Sequence, residues 1–367
     1  MQECYLPTGN EWVSLPTLQA RTGALESFSF LHMGYKGLIE QRGGASLPLM
    51  TPFFETEGER ASLQSLTWGR KSDWIPTFCG TAGSLAVEGM LLAPVGERGF
   101  LYQLTVRSTS DKPLSSTFGL EGCWASAWHC VNEDKEIDGA RRCYTSLWND
   151  SLIFDMRCGL PLFAFAPMMD QPCSSTFQET DAGIVYRLAH ACTLEPGEAV
   201  TVTFYWGVGF EEGAAATSAK EMLRQGWQHE LQVTTDWLDA RRWPIPDAQL
   251  ERLYNTNLFF CLFYSAGITL DTEELVLVTS RSPRYYVSAA YWDRDSLLWS
   301  FPTVVDADPA LARRMLDYVF GRQRRNLGVH SRYIDGTVLE PGFELDELMA
   351  PVLALERYVG ATGDRDC

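Results

Sequence analysis

Tyr285-Tyr286-Val287-Ser288-Ala289-Ala290-Tyr291-Trp292-Asp293-Arg294-Asp295-Ser296-Leu297-Leu298-Trp299 is the stretch on which the fold reading turns. Aromatic rings surround a compact Asp-Arg-Asp cluster, and an apolar run follows at once. Large flat rings stack on the C–H face of a sugar, while carboxylate and guanidinium bind its hydroxyls in a planar fork. The same residues suit a plain ion pair at a helix N-terminus, where capping and charged side chains collect. What lies on either side decides between the two.

Downstream the chain reads as helices. Residues 293–304 continue the stretch as one helix. Asp308-Pro309 supplies an N-cap followed by proline at the first helical position, opening a helix to about Arg325. The 305–308 connection is short and plain, whereas 328–342 is long and contains Tyr333-Ile334-Asp335-Gly336. A further helix is expected around Leu345, Leu348, Val352, Leu355 and Val359, with Pro351 kinking it or marking its start. Upstream, Asp247 caps a helix that carries Leu250, Leu253, Tyr254, Asn257, Leu258, Cys261 and Leu262 inward and stops at Gly267. A loop over 268–290 follows. Long loops at one end of a helical scaffold are where binding sites are built.

Before Asp247 the period changes twice. Ala216, Ala219, Met222, Leu223, Gly226, Trp227, Leu231, Thr234 and Leu238 recur at three and four, which is one helical face. Arg241-Arg242-Trp243-Pro244-Ile245-Pro246 stops it. The expectation is a linker helix over 213–246 that belongs to neither core. Residues 1–212 read as strands. Phe100, Tyr102, Leu104 and Val106 share one face at period two, and Val200, Val202, Phe204 and Trp206 alternate with Thr201, Thr203 and Tyr205. Many short strands without helical periodicity predict an antiparallel β-sandwich. Trp124 and Trp128 form a candidate sugar platform there, against the commoner fate of Trp as core.

With 367 residues the chain is long enough for two or three domains. A net charge of −17 argues against nucleic acid or an anionic membrane as partner and fits a neutral ligand. The start, Met1-Gln2-Glu3-Cys4-Tyr5-Leu6-Pro7, shows neither a basic nor an apolar leader segment. No run approaches the ~18–20 apolar residues of a membrane helix. Ten scattered cysteines without a CxxC pair predict reduced, mostly buried thiols and a cytoplasmic protein. His32, His129, His190, His229 and His330 never fall at ligand spacing, so no metal and no cofactor is expected.

A sandwich, a linker helix and then helical hairpins together resemble the six-hairpin glycosidases with an (α/α)6 toroid. That superfamily includes glucoamylase-type enzymes and bacterial glycogen-debranching and metal-independent α-mannosidase relatives. The residues that carry the resemblance are Tyr291-Trp292-Asp293-Arg294-Asp295-Ser296 at the second toroid helix and Gly342-Phe343-Glu344-Leu345-Asp346-Glu347-Leu348 at the fourth. Tyr358-Val359-Gly360-Ala361-Thr362-Gly363-Asp364 is similar to the family's step into the next hairpin. The resemblance implies a cofactor-free acid/base glycosidase acting on α-linked glucosides or related glycosides. It implies that Arg294 and Asp295 grip the non-reducing sugar, with Trp292 as a stacking wall and Asp346 as a further sugar ligand. Of the flanking Glu344 and Glu347, one is expected to be a solvated helix-start carboxylate.

The sequence therefore predicts a multidomain β-then-α chain: 1–212 sandwich, 213–246 linker helix, 247–367 partial toroid. Twelve helices make a toroid. At helix and loop lengths of roughly 12 and 6 residues the absent part is at least ~140 residues. The family's proton donor and base belong to that absent part. Asp346 and Asp295 are the only in-chain candidates for an acid and base pair, whose carboxyls would need to stand roughly 6.5–9.5 Å apart for inversion. An incomplete toroid also predicts unpaired apolar faces over 345–359 and association with itself or with a missing C-terminal half. Two alternatives stay open. One is a glycoside phosphorylase, for which Arg281, Arg284 and Arg332 could hold phosphate. The other is a non-catalytic carbohydrate-binding or assembly module.

Overall fold

The computed structural model describes residues 4–147 and 149–367; Met1, Gln2 and Glu3, part of the stretch searched for a leader, lie outside the described residues. Strands run from Thr8 to Gly209 and pair into three antiparallel sheets. An eight-stranded sheet holds Gly99–Ser108 at its centre between Ala199–Gly209 and Leu85–Leu92. Five- and six-stranded sheets, built around Leu114–Trp124 and Ser27–His32, face it. The period-two reading holds here. Phe100 lies opposite Trp206, Tyr102 opposite Phe204 and Leu104 opposite Val202, all pointing into one core. Across that core Phe165 meets Phe28 at 5.4 Å and Trp124 at 5.1 Å, edge to face.

Trp124 is fully buried and donates its indole N–H to Gln41 Oε1 at 3.0 Å. Trp128 lies 4.4 Å beneath the Arg42 guanidinium. The pair is no sugar platform. All ten cysteines are free thiols, but only Cys123, Cys130 and Cys143 are buried, because several others fall on outward strand positions.

The expected single linker helix is two: α1 (Glu212–Gln225) and α2 (Trp227–Asp239). Gly226, at φ 85°, breaks them, and its N–H closes on Met222 O at 2.9 Å. Nor does α1 stand outside a core. Ala215, Ala216 and Ala219 lie flat on the outer face of the eight-stranded sheet, over Ala164 and Ala166. A Cβ at Gly207 would reach 2.1 Å from Ala215 O, and one at Gly209 would reach 2.4 Å from Ala215 N. Small residues on both sides let helix and sheet backbones approach.

Next comes α3 (Ala248–Tyr264), capped as expected, with the Asp247 carboxylate accepting Gln249 and Leu250 N–H at 2.9 Å. Its inward face is corrected to Asn255, Leu258, Phe259, Leu262 and Phe263, while Leu250, Leu253 and Tyr254 are exposed. The helix stops at Tyr264, not at Gly267, which belongs to a small hairpin (Ala266–Ile268 with Leu275–Leu277) inside the expected loop. A second hairpin, Val329–Arg332 with Val338–Phe343, occupies the other one. Between them run a π-helix (Asp295–Ser300), α4 (Phe301–Ala307), α5 (Pro309–Tyr318) and a second π-helical segment (Val319–Gln323). The last helix, α6 (Leu345–Thr362), contains Pro351 within it and ends on Gly363 at φ 74°. These helices share one apolar core with Trp74, Leu101 and Tyr205 of the sandwich. Leu345, Met349, Val352 and Leu353 of α6 remain exposed. No helix of the described residues is long and apolar enough to cross a membrane.

Asp308 joins two of these elements. One carboxylate oxygen accepts Leu311 N–H at 2.9 Å as the cap of α5, and the other accepts Arg241, beyond the end of α2, at 2.7 and 2.9 Å. Asp308→Asn keeps a capping oxygen and loses the ion pair, whereas Asp308→Ala loses both. In urea titrations the alanine variant is expected to be less stable than the asparagine variant by about 1 kcal/mol. Equal losses would mean that the cap contributes nothing.

Candidate functional site

Two helices bring their N-terminal ends together: the one that starts at Asp293-Arg294 and α6. Tyr291 and Arg332 clamp the approach, each accepting the other's backbone N–H at 2.9 and 3.0 Å. Arg332 is fully buried, 4.9 Å from the Tyr291 ring, and pairs with Asp293. Asp293 also accepts the Tyr291 hydroxyl at 2.5 Å. Glu347, fully buried on α6, accepts Asp293 N–H at 2.6 Å and Arg294 N–H at 3.3 Å. It thus does for the neighbouring helix what a local N-cap normally does. The expectation of a solvated helix-start carboxylate does not hold for Glu347, while the partly exposed Glu344 is held by His330 (2.7 Å) and Arg294 (3.1 Å).

One buried guanidinium serves two buried carboxylates. Burial raises Asp293, with Arg332 opposing, and pushes Glu347 up to about 8, with Asp293 adding to the effect. Two buried carboxyls this close titrate as a coupled pair.

Above this base sits the half-exposed Arg294. Its Nη1 donates to Asp346 Oδ2 at 2.9 Å and Glu344 Oε2 at 3.1 Å, and its Nη2 lies 3.9 Å from Asp295 Oδ2. Arg294 holds Asp346 below the usual carboxylate range. Asp295 goes the other way: burial raises it, Arg294 opposes, and Asp346 and Glu344 raise it further. Two neighbouring carboxylates pushed apart in this way are the pattern of groups with different proton duties. Tyr285 feels the charge of Asp295, and its ring meets that of Tyr286, which is 78% exposed, at 5.0 Å.

Of the expected site residues, Arg294, Asp295 and Asp346 come together. Trp292 is only 5% exposed and meets the His330 ring edge-on at 5.7 Å, so it offers an edge and not an open stacking wall. The phosphate triad does not assemble. Arg281 is fully buried, donating to the carbonyls of Asn10 (2.5 Å) and Phe263 (2.8 Å), and Arg332 is committed to Asp293. Arg284 alone is open, 3.6 Å from Glu26. The sequence reading gave Arg332 another role and missed Glu347 as a cap and His330 as a site residue; their partners lie 14 to 54 residues away, beyond any local pattern.

Because Glu347 is raised above its ordinary value of 4.5, its protonation favours the folded state fully below pH 4.5, and this contribution is lost as pH rises through about 8. Glu347→Gln keeps an acceptor and removes the proton. Urea unfolding between pH 5 and 9 should show a flatter pH dependence in the variant, by up to about 1.4 kcal/mol per pH unit. Parallel curves would place the proton elsewhere.

No protein-family model and no curated protein sequence matches the chain. Solved structures do. A candidate kojibiose phosphorylase from human microbiome aligns with TM-score 0.58 at 11% identity, over 96% of this chain and 53% of its own. A bacterial glucoamylase complexed with acarbose aligns with TM-score 0.55 at 10% identity, over 98% of this chain and 56% of its own. The likeness is one of fold, and the chain spans about half the length of these structures.

Proposed function

We propose that this chain is the sandwich and first helical hairpins of a glycoside hydrolase for α-linked glucosides or related glycosides. Arg294, Asp295 and Asp346 bind the hydroxyls of the non-reducing sugar. The observation that carries the reading is the meeting of two helix N-termini through Arg294, which bonds Asp346 at 2.9 Å beside Asp295, with Tyr285 within electrostatic reach of Asp295. The guanidinium donates in a plane, the carboxylates accept, and the tyrosine rings offer apolar faces, as a sugar requires. The alignment over nearly the whole chain with a phosphorylase candidate and a glucoamylase supports it. The exposed apolar side chains of α6 support further helices packing there to complete a toroid. Asp295, raised by burial, and Asp346, lowered by Arg294, are then the carboxyl groups that take the sugar hydroxyls.

Hydrolysis is preferred to phosphorolysis because the in-chain cationic triad does not form and the cluster around Arg294 is dominated by carboxylates. Calorimetry with acarbose and with maltose tests the binding step. The chain should bind, and Arg294→Ala should bind at least about tenfold more weakly, the loss of one charge-assisted hydrogen bond. No binding of either sugar, or binding unchanged in the variant, would sink the assignment. Product formation that requires added phosphate would turn it to the phosphorylase.

A further inference from the structure

A cavity of about 820 Å³ shares none of its lining residues with the Arg294 cluster. It opens where α5 and the π-helical segment Val319–Gln323 meet the Asp335-Gly336-Thr337 turn. Three carboxylates line it, and each already has a cation. Glu274 pairs with Arg322, Asp317 with Arg313 at 3.2 Å, and Asp335 with Lys36 at 3.0 Å. Asp335 is further occupied by Thr337, whose N–H and hydroxyl it accepts at 2.9 and 2.6 Å. Arg313 divides itself between Asp317 and Asp364 (2.8 Å).

Arg314 and Arg325 line the same volume, are exposed, and have no hydrogen-bond or ion-pair partner among the described residues. Arg314 acts electrostatically on Glu11, which is itself bonded to Gly96 N–H at 2.7 Å. In a chain of net charge −17, a lining in which three guanidiniums balance three carboxylates is locally enriched in cations, and the three carboxylates are already paired. Guanidinium forks match the oxygens of a tetrahedral dianion. The volume falls within the ~300–1,000 Å³ of small-molecule pockets and exceeds what a bare anion fills.

We propose that this cavity binds a phosphate group, free or as the monoester of a small polar body such as a sugar, through Arg314 and Arg325. It does not rest on the sugar reading of the Arg294 cluster. Calorimetry on the full chain with inorganic phosphate, glucose 6-phosphate and glucose tests it. Saturable phosphate binding is expected, weakened at least about tenfold in Arg314→Ala/Arg325→Ala and in Arg325→Glu alone. Binding of glucose 6-phosphate should also weaken below about pH 6, where a phosphate monoester loses its second charge. Tighter binding of glucose 6-phosphate than of phosphate identifies a monoester, and equal binding identifies the free ion. Absence of saturable binding by both phosphates, or affinity unaltered in the folded arginine variants, would each overturn the proposal.

Discussion

The candidate site depends on one carboxylate. Glu347 takes the backbone N–H of Asp293 at 2.6 Å and reaches Arg294 N–H at 3.3 Å, so the start of one helix is fixed by the start of another. A helix N-terminus buried without an acceptor costs free energy, and no side chain local to Asp293 supplies one. Supplying it from α6 makes the geometry of Arg294 and Asp346 a consequence of helix packing. Arg332 and Tyr291 lock Asp293 beneath.

The sandwich is the anvil for this arrangement. The loops that carry the site are stitched to its strands: Ser288 donates its hydroxyl to Cys130 O at 2.9 Å, and Asp271 accepts Met33 N–H at 2.7 Å. Trp74, from the sandwich, stacks on Phe263 of α3 at 5.5 Å. The two halves of the sequence share an apolar core, so the rigidity of the sheets is transmitted to the rim of the site.

Features set by neighbours in sequence were legible in the sequence. The caps at Asp247 and Asp308 rest on hydrogen bonds spanning two or three residues, and the strand faces rest on simple alternation. The inward face of α3 was not, because the helix is apolar on more than one side. Asn255, buried to hold Trp243 N–H at 2.8 Å, looks like a surface residue in any hydropathy pattern. The break at Gly226 hid inside an unbroken helical period. In the site, Arg294 and Asp346 were reachable through a family-like motif, whereas Glu347 and Arg332 act across 54 and 39 residues and leave no local signal.

The π-helical stretch Asp295–Ser300 has a further meaning. Closing hydrogen bonds one residue later than an α-helix does, it accommodates the equivalent of an inserted residue and rotates everything after it around the axis. Trp299 falls outside, 64% exposed, while Leu297 and Phe301 stay in the core. The polar head and the apolar body of this helix are therefore out of phase. Deleting one residue within the stretch could restore ordinary winding and preserve the buried body, yet swing the charged head away from α6. Fold and site would part company at that point.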